Sequence, residues 1–245
     1  MLFEKHTLAN YDVVPSETPL ARRVAQLAMR VAGAAEKLGV HYPWKVIIVK
    51  SDDHSAECFP GGVIVVCTGL VMHLGELVAA GVFDSMDDAL GTILCHEIAH
   101  AVARHQVEGL ALQPWALMLE KYGRPWELFS TFALALPYKR QQEREADIIS
   151  VHLMALCGLD IEAPMKLFLN VRTTSTGALG SFAATHPSDS ERALTCARTA
   201  DIVREKYGIP RNDSSMPAPP EPQEDRVLSP GPAQTETRVV SETAN

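Results

Sequence analysis

The sequence predicts an α+β, helix-rich fold with a small β-sheet, and three observations predict it. Apolar residues recur at three- and four-residue spacing through most of the chain, as in 18–39 and 138–158. Only two short β-branched runs, "WKVIIVK" (44–50) and "VIVVCTG" (63–69), read as strands. The chain has 245 residues, 47% of them hydrophobic and 21% charged, which suffices for one sizeable core or two small ones.

The elements follow in order. Residues 1–17 are a lead-in, and "TPLARRVAQLAMRVAGAAEKLG" (18–39) is an amphipathic helix stopped by Gly39. The strand at 44–50 leads into "SDDHSAECFPGG", read as a loop whose Pro60-Gly61-Gly62 makes a tight turn. The strand at 63–69 lies near the first in a small sheet, and "LVMHLGELVAAG" (70–81) is a short helix. Ser85, with Asp88 three residues on, resembles a capping box and starts a long helix over 86–106. Two apolar helical segments follow, broken near Gly123-Arg124-Pro125 and closed off by Pro137. A helix over 138–158 stops at Gly158, and "IEAPMKLFLNVRTT" and "SDSERALTCARTADIVREKYG" are two more. Residues 18–210 thus form one domain. Residues 211–245, with six prolines and no aromatic, are expected to be a disordered tail.

Composition excludes several classes of function. The formal net charge is -8, so electrostatics gives no reason to expect nucleic acid as a partner. No uninterrupted apolar run approaches the ~20 residues of a membrane span, and "MLFEKHTLANYD" is neither a signal nor a transit peptide. The chain is therefore read as intracellular and soluble, or as a fragment lacking its targeting and anchor segments. Five scattered cysteines without a CxxC pair suggest neither a disulfide framework nor a thiolate zinc site.

The chemistry concentrates in "GTILCHEIAHAVARH" (91–105). His96 and His100, four apart on a helix, turn their imidazoles the same way and can grip one Zn²⁺. Glu97 can then hold the water activated by the zinc and take its proton as it attacks a carbonyl. Ile98, Ala99, Ala101 and Val102 make this a buried helix, where polar groups without partners are costly; a metal gives them a reason to be there. A catalytic zinc needs a third protein ligand. An extended motif with Gly at 103 and His at 106 is ruled out by Ala103 and Gln106. "EREAD" offers Glu143, Glu145 and Asp147; Glu143 and Asp147 share a face, and Glu145 points nearly opposite. One of the pair binds zinc and the other hydrogen-bonds a ligand imidazole. Cys95 is read as a buried apolar cysteine, His105 as a structural residue off the ligand face, and His152 as a bystander on the "EREAD" helix.

The combination of "HEIAH", "EREAD" roughly 40 residues later, "PGG" with "TGL" before the zinc helix, and "THPSDSER" near the end resembles the gluzincin zinc metallopeptidases. These are related to the CAAX prenyl protease and to bacterial periplasmic quality-control proteases. "WKVIIVKS", "LPYKRQQEREAD" and "THPSDSER" look most like the Oma-type members of the mitochondrial inner membrane. The resemblance implies a zincin-like fold, one Zn²⁺ per chain held by His96, His100 and Glu143, and Asp147 as partner of a ligand histidine. It also implies a role near the metal for His186, which stabilises an oxyanion or covers the zinc at rest. Arg192 buttresses the acidic pair, binds substrate backbone, or is a plain surface arginine. Relatives commonly carry Asn-Ala-Phe where this chain has Glu57-Cys58-Phe59.

Protein or peptide substrate is expected to add as a strand along a sheet edge, and "GGVIVVCTG" is the expected edge, through Gly61, Gly62, Val63 and Val65. The apolar stretch 109–136 is expected to cover the cleft or face a membrane, and a missing N-terminal segment is the other route to one. The Oma-type resemblance favours membrane proteins as substrates and the mitochondrial inner membrane as location, with a bacterial periplasmic or membrane-associated setting as the alternative. Homo-oligomerisation is left open. The rival reading is a zinc-binding, holdase-like protein with occluded or little protease activity.

Overall fold

The computed structural model describes residues 11–105, 139–173 and 190–210. The apolar stretch 109–136, His186 and the tail 211–245 lie outside the described residues. Six helices and three strands occur among the described residues: α1 (Pro19–Lys37), β1 (Lys45–Val49), β2 (Ala56–Phe59), β3 (Val63–Cys67), α2 (Thr68–Ala79), α3 (Met86–Val102), α4 (Lys139–Leu156), α5 (Ala163–Thr173) and α6 (Ser190–Tyr207). The helix-rich α+β class is as the sequence predicts.

The sheet runs in the order β1-β3-β2, with β1 parallel and β2 antiparallel to β3. β2 falls inside the segment expected to be a loop. Its four residues are buried and include Glu57, so no alternation marks them, but a tight turn between two runs is itself a hairpin signal. That turn needs its glycines for internal reasons. Gly61 and Gly62 have φ of 92° and 82°, and a Cβ on Gly62 would stand 2.7 Å from Tyr42 Cβ. The close approach at Gly62 is therefore made by the chain itself, and no substrate is required to explain it.

β3 is the middle strand, with neighbours on both sides. The expectation that substrate adds along Gly61–Val65 is thereby corrected: the backbone of Val63 and Val65 already pairs with β1 and β2. Their side chains pack with Ile47, Val49 and Phe59 on one face of the sheet. The other face carries Ile64 and Val66 into the main core with the helices.

Helix α3 runs through the middle of that core. Ser85 caps it by accepting from the Asp88 N–H, an arrangement worth about 1 kcal/mol. The reciprocal half of the capping box is absent, because Asp88 accepts instead from the Ser85 hydroxyl and from the Asp160 N–H. Every residue from Ala89 to Ala99 is buried. A helix apolar all round is one surrounded by protein, and α1, α2, α4 and β2 all lie against this one. Gly91 permits the tightest approach, since a Cβ there would meet Leu159 Cδ1 at 2.6 Å. No helix among the described residues is long and apolar enough to cross a membrane.

Candidate metal centre

His96 and Glu97 sit within the eleven-residue buried stretch of α3, and His100 is half-buried one turn on. Helix α4 packs against α3 and delivers Glu143 and Asp147, buried to 2% and 1% exposure. The spacing of four puts both carboxylates on the same side of α4, facing the two imidazoles. His96 Nε2 lies 3.1 Å from His100 Nε2 and 3.2 Å from Glu143 Oε2, and His100 Nε2 lies 3.6 Å from Glu143 Oε1. Donors placed tetrahedrally at the ~2.0–2.2 Å usual for zinc stand roughly 3.3–3.6 Å from one another. The three side chains therefore fit one zinc ion, and they form a possible ligand group by residue type and distance.

Charge supports the fit. Among the described residues around the two imidazoles, the buried carboxylates of Glu97, Glu143 and Asp147 face one buried guanidinium, Arg192, which leaves two negative charges over. A divalent cation neutralises them; without one, buried charge of this kind is costly. The same imbalance acts on His96. Burial alone would lower its pKa, but Asp147 and Glu143 outweigh burial and push it up to about 9. The pocket attracts a positive charge, either a proton or a metal.

The partners around these three side chains are as specific as the three themselves. Asp147 Oδ1 is 3.1 Å from His96 Nδ1, which directs the ring hydrogen to Asp147 and the Nε2 lone pair to the metal position. Arg192, from α6, donates through Nε and Nη2 to Asp147 at 2.7 Å each and places Nη1 3.1 Å from Glu143. Its guanidinium lies over the Phe168 ring at 4.3 Å, and the residue is 1% exposed. Arg192 is a buried clamp on the acidic pair and not a surface arginine. Glu97 Oε2 accepts from the Cys58 N–H at 3.1 Å, which ties α3 to the edge of β2.

Other residues singled out in the sequence lie away from the metal position or carry no reactive group. Burial pushes the Cys58 thiol well up, with Glu97 and then Glu57 adding to the shift, so it stays protonated. Cys95 is fully buried beside the Cys157 thiol. His152 stacks edge-on with Tyr207. His105 and Glu145, however, come next to the site, although unbroken helical spacing puts both off its face. His105 Nδ1 is 2.9 Å from His100 Nδ1, and His105 Nε2 is 3.2 Å from Glu145 Oε2. A helix continued to residue 106 would aim His105 away from His100. Instead α3 ends at Val102, and Arg104 takes φ of 61°, a left-handed conformation that costs a non-glycine residue about 1–2 kcal/mol. The reversal swings His105 back over His100. No Gly or Asn marks this stop, so the sequence gives no signal of it.

Two histidines four apart on a buried helix, a glutamate between them and a carboxylate ligand from a second helix define a metallopeptidase-type site. The sequence pattern of peptidase family M48 matches residues 20–199, and the chain belongs to that family. Among its relatives are proteins named mitochondrial metalloendopeptidase OMA1. That of Arabidopsis thaliana is 33% identical over 175 residues, covering 69% of this chain and 34% of the relative. That of Schizosaccharomyces pombe is 28% identical, covering 77% and 56%, and that of Saccharomyces cerevisiae 24%, covering 80% and 60%. The chain thus spans between about a third and three-fifths of the length of these curated relatives.

Proposed function

We propose that this chain is a zinc-dependent metalloendopeptidase acting in mitochondria, in membrane-protein quality control or stress-responsive processing. The observation that carries the reading is the convergence of His96 Nε2, His100 Nε2 and Glu143 at mutual distances of 3.1–3.6 Å, beside Glu97. Mitochondrial location and the endopeptidase activity are supported by the names of the relatives. Membrane proteins as substrates and the inner membrane as location rest on the Oma-type resemblance.

His96, His100 and Glu143 would hold the ion, which supplies an electrophile for the scissile carbonyl and a water of lowered pKa. Glu97 takes the proton of the attacking water and delivers it to the departing amine nitrogen. The Cys58 N–H keeps the Glu97 carboxylate at the β2 edge. Asp147 holds His96 in the ligating tautomer, and Arg192 balances the two carboxylates of α4. His186 is retained as the group that stabilises the oxyanion. The substrate strand moves from β3 to β2. Residues 57 and 59 pair toward β3, so the backbone groups of Ala56 and Cys58 point outward, on the side where Glu97 waits. An extended peptide added there passes its carbonyls in front of the general base.

Metal analysis and proteolysis test the reading together. The expected result is one zinc per chain, cleavage of casein or of a detergent-solubilised membrane protein, and loss of cleavage with a chelator. Glu97→Gln keeps the zinc and loses cleavage by at least about 100-fold. A protein that holds zinc and cleaves no differently after Glu97→Gln is a binding protein, and the protease reading fails.

A further inference from the structure

We infer that His105, backed by Glu145, is a positioning residue that fixes His100 in the tautomer presenting Nε2 to the metal position. The inference rests on the metal site proposed above and adds to it a hydrogen-bond chain that the HExxH motif does not contain.

The direction of each hydrogen bond follows from the one before it. Glu145 is 56% exposed at its side chain and offers carboxylate oxygens, which accept; the hydrogen in the 3.2 Å contact belongs to His105 Nε2. A neutral imidazole has one ring hydrogen, so His105 Nδ1 carries a lone pair. The 2.9 Å contact between the two Nδ1 atoms then needs its hydrogen from His100. His100 Nε2 is left with a lone pair, aimed at His96 Nε2 and Glu143. The reverse tautomer of His100 would put an N–H into the metal position and leave two lone pairs facing at 2.9 Å. His105 is 6% exposed, so water is a poor substitute for it. Arg104 supplies a second, independent observation: a non-glycine residue takes a left-handed conformation at the position that turns His105 back.

The tests separate this role from a merely structural one. In the metal-free protein, ¹⁵N spectra are expected to show His100 as the Nδ1–H tautomer; the Nε2–H tautomer overturns the inference whether or not zinc binds. His105→Phe, folded by circular dichroism, is expected to bind zinc 10- to 100-fold more weakly in competition with a chromophoric chelator. His105→Asn places an acceptor oxygen where Nδ1 was and is expected to recover affinity to within about 3-fold of the parent. A folded His105→Phe that binds zinc like the parent, or a His105→Asn no better than His105→Phe, overturns the inference. A parent protein that takes up no zinc at all sinks the metal-site reading instead, and the tautomer spectrum still decides the hydrogen-bond chain.

Discussion

The two histidines proposed to hold the metal share one helix but are held in opposite ways. His96 lies in the fully buried part of α3 and reaches a carboxylate directly, Asp147, which a buried arginine clamps from behind. His100 lies one turn later, half-buried, and reaches its carboxylate through a second imidazole, with Glu145 mostly in solvent. On the proposed reading the same task, turning a ring so that Nε2 faces the metal position, is done once by packing and once by a chain reversal. The packed side draws its strength from low dielectric and from closure by α6. The reversed side draws little from electrostatics, because an exposed carboxylate is screened by water.

The largest expected effect breaks the packed side. Arg192→Met leaves Asp147 and Glu143 buried without their counter-charge. Removing one partner of a buried ion pair costs about 3–5 kcal/mol, so denaturant unfolding should show a loss of that size or outright failure to fold. A loss under about 1 kcal/mol would mean that the clamp is not what closes this side. Next comes a matched pair that sharpens the comparison. Asp147→Asn and Glu145→Gln make the same chemical change behind His96 and behind His105. The first should weaken zinc binding by 10- to 100-fold. The second should change it by about 2-fold at most, because Gln still accepts from His105 and the position is exposed. Equal effects in chelator competition would show that burial does not distinguish the two sides.

The packed side was legible in the sequence and the reversed side was not, for a physical reason. His96 with His100, and Glu143 with Asp147, lie on two unbroken helices, where i, i+4 spacing fixes which side chains share a face; that the two pairs meet, with Glu143 at the metal position, is what the family resemblance implies. The sequence leaves the role of Arg192 open, since nothing in it tells a buried arginine from a surface one. A helix continued to 106 puts His105 off the ligand face, and Ala103-Arg104 carries no residue that announces a stop. The helix class and most element limits were readable from apolar periodicity. β2 is not, because four buried residues with a glutamate among them show no period, and so the sequence points to β3 where the sheet edge is β2. His186 lies outside the described residues.

The smallest expected effect falls on the turn itself. Arg104 at φ of 61° bears strain that glycine does not, but glycine also has more freedom to lose on folding. These terms oppose each other, so Arg104→Gly should change the unfolding free energy by about 1 kcal/mol or less, in either direction. Zinc affinity should stay within about 2-fold, because glycine reaches the same conformation and His105 still returns to His100. Arg104→Val is the counterpart: a β-branched residue resists positive φ, so the turn opens and His105 is drawn off. Its zinc affinity should fall toward that of His105→Phe, although position 104 itself makes no hydrogen bond to either imidazole ring. Should Arg104→Val bind zinc as the parent does, the reversal is not what holds His105 in place, and the contrast between the two histidines loses its structural cause.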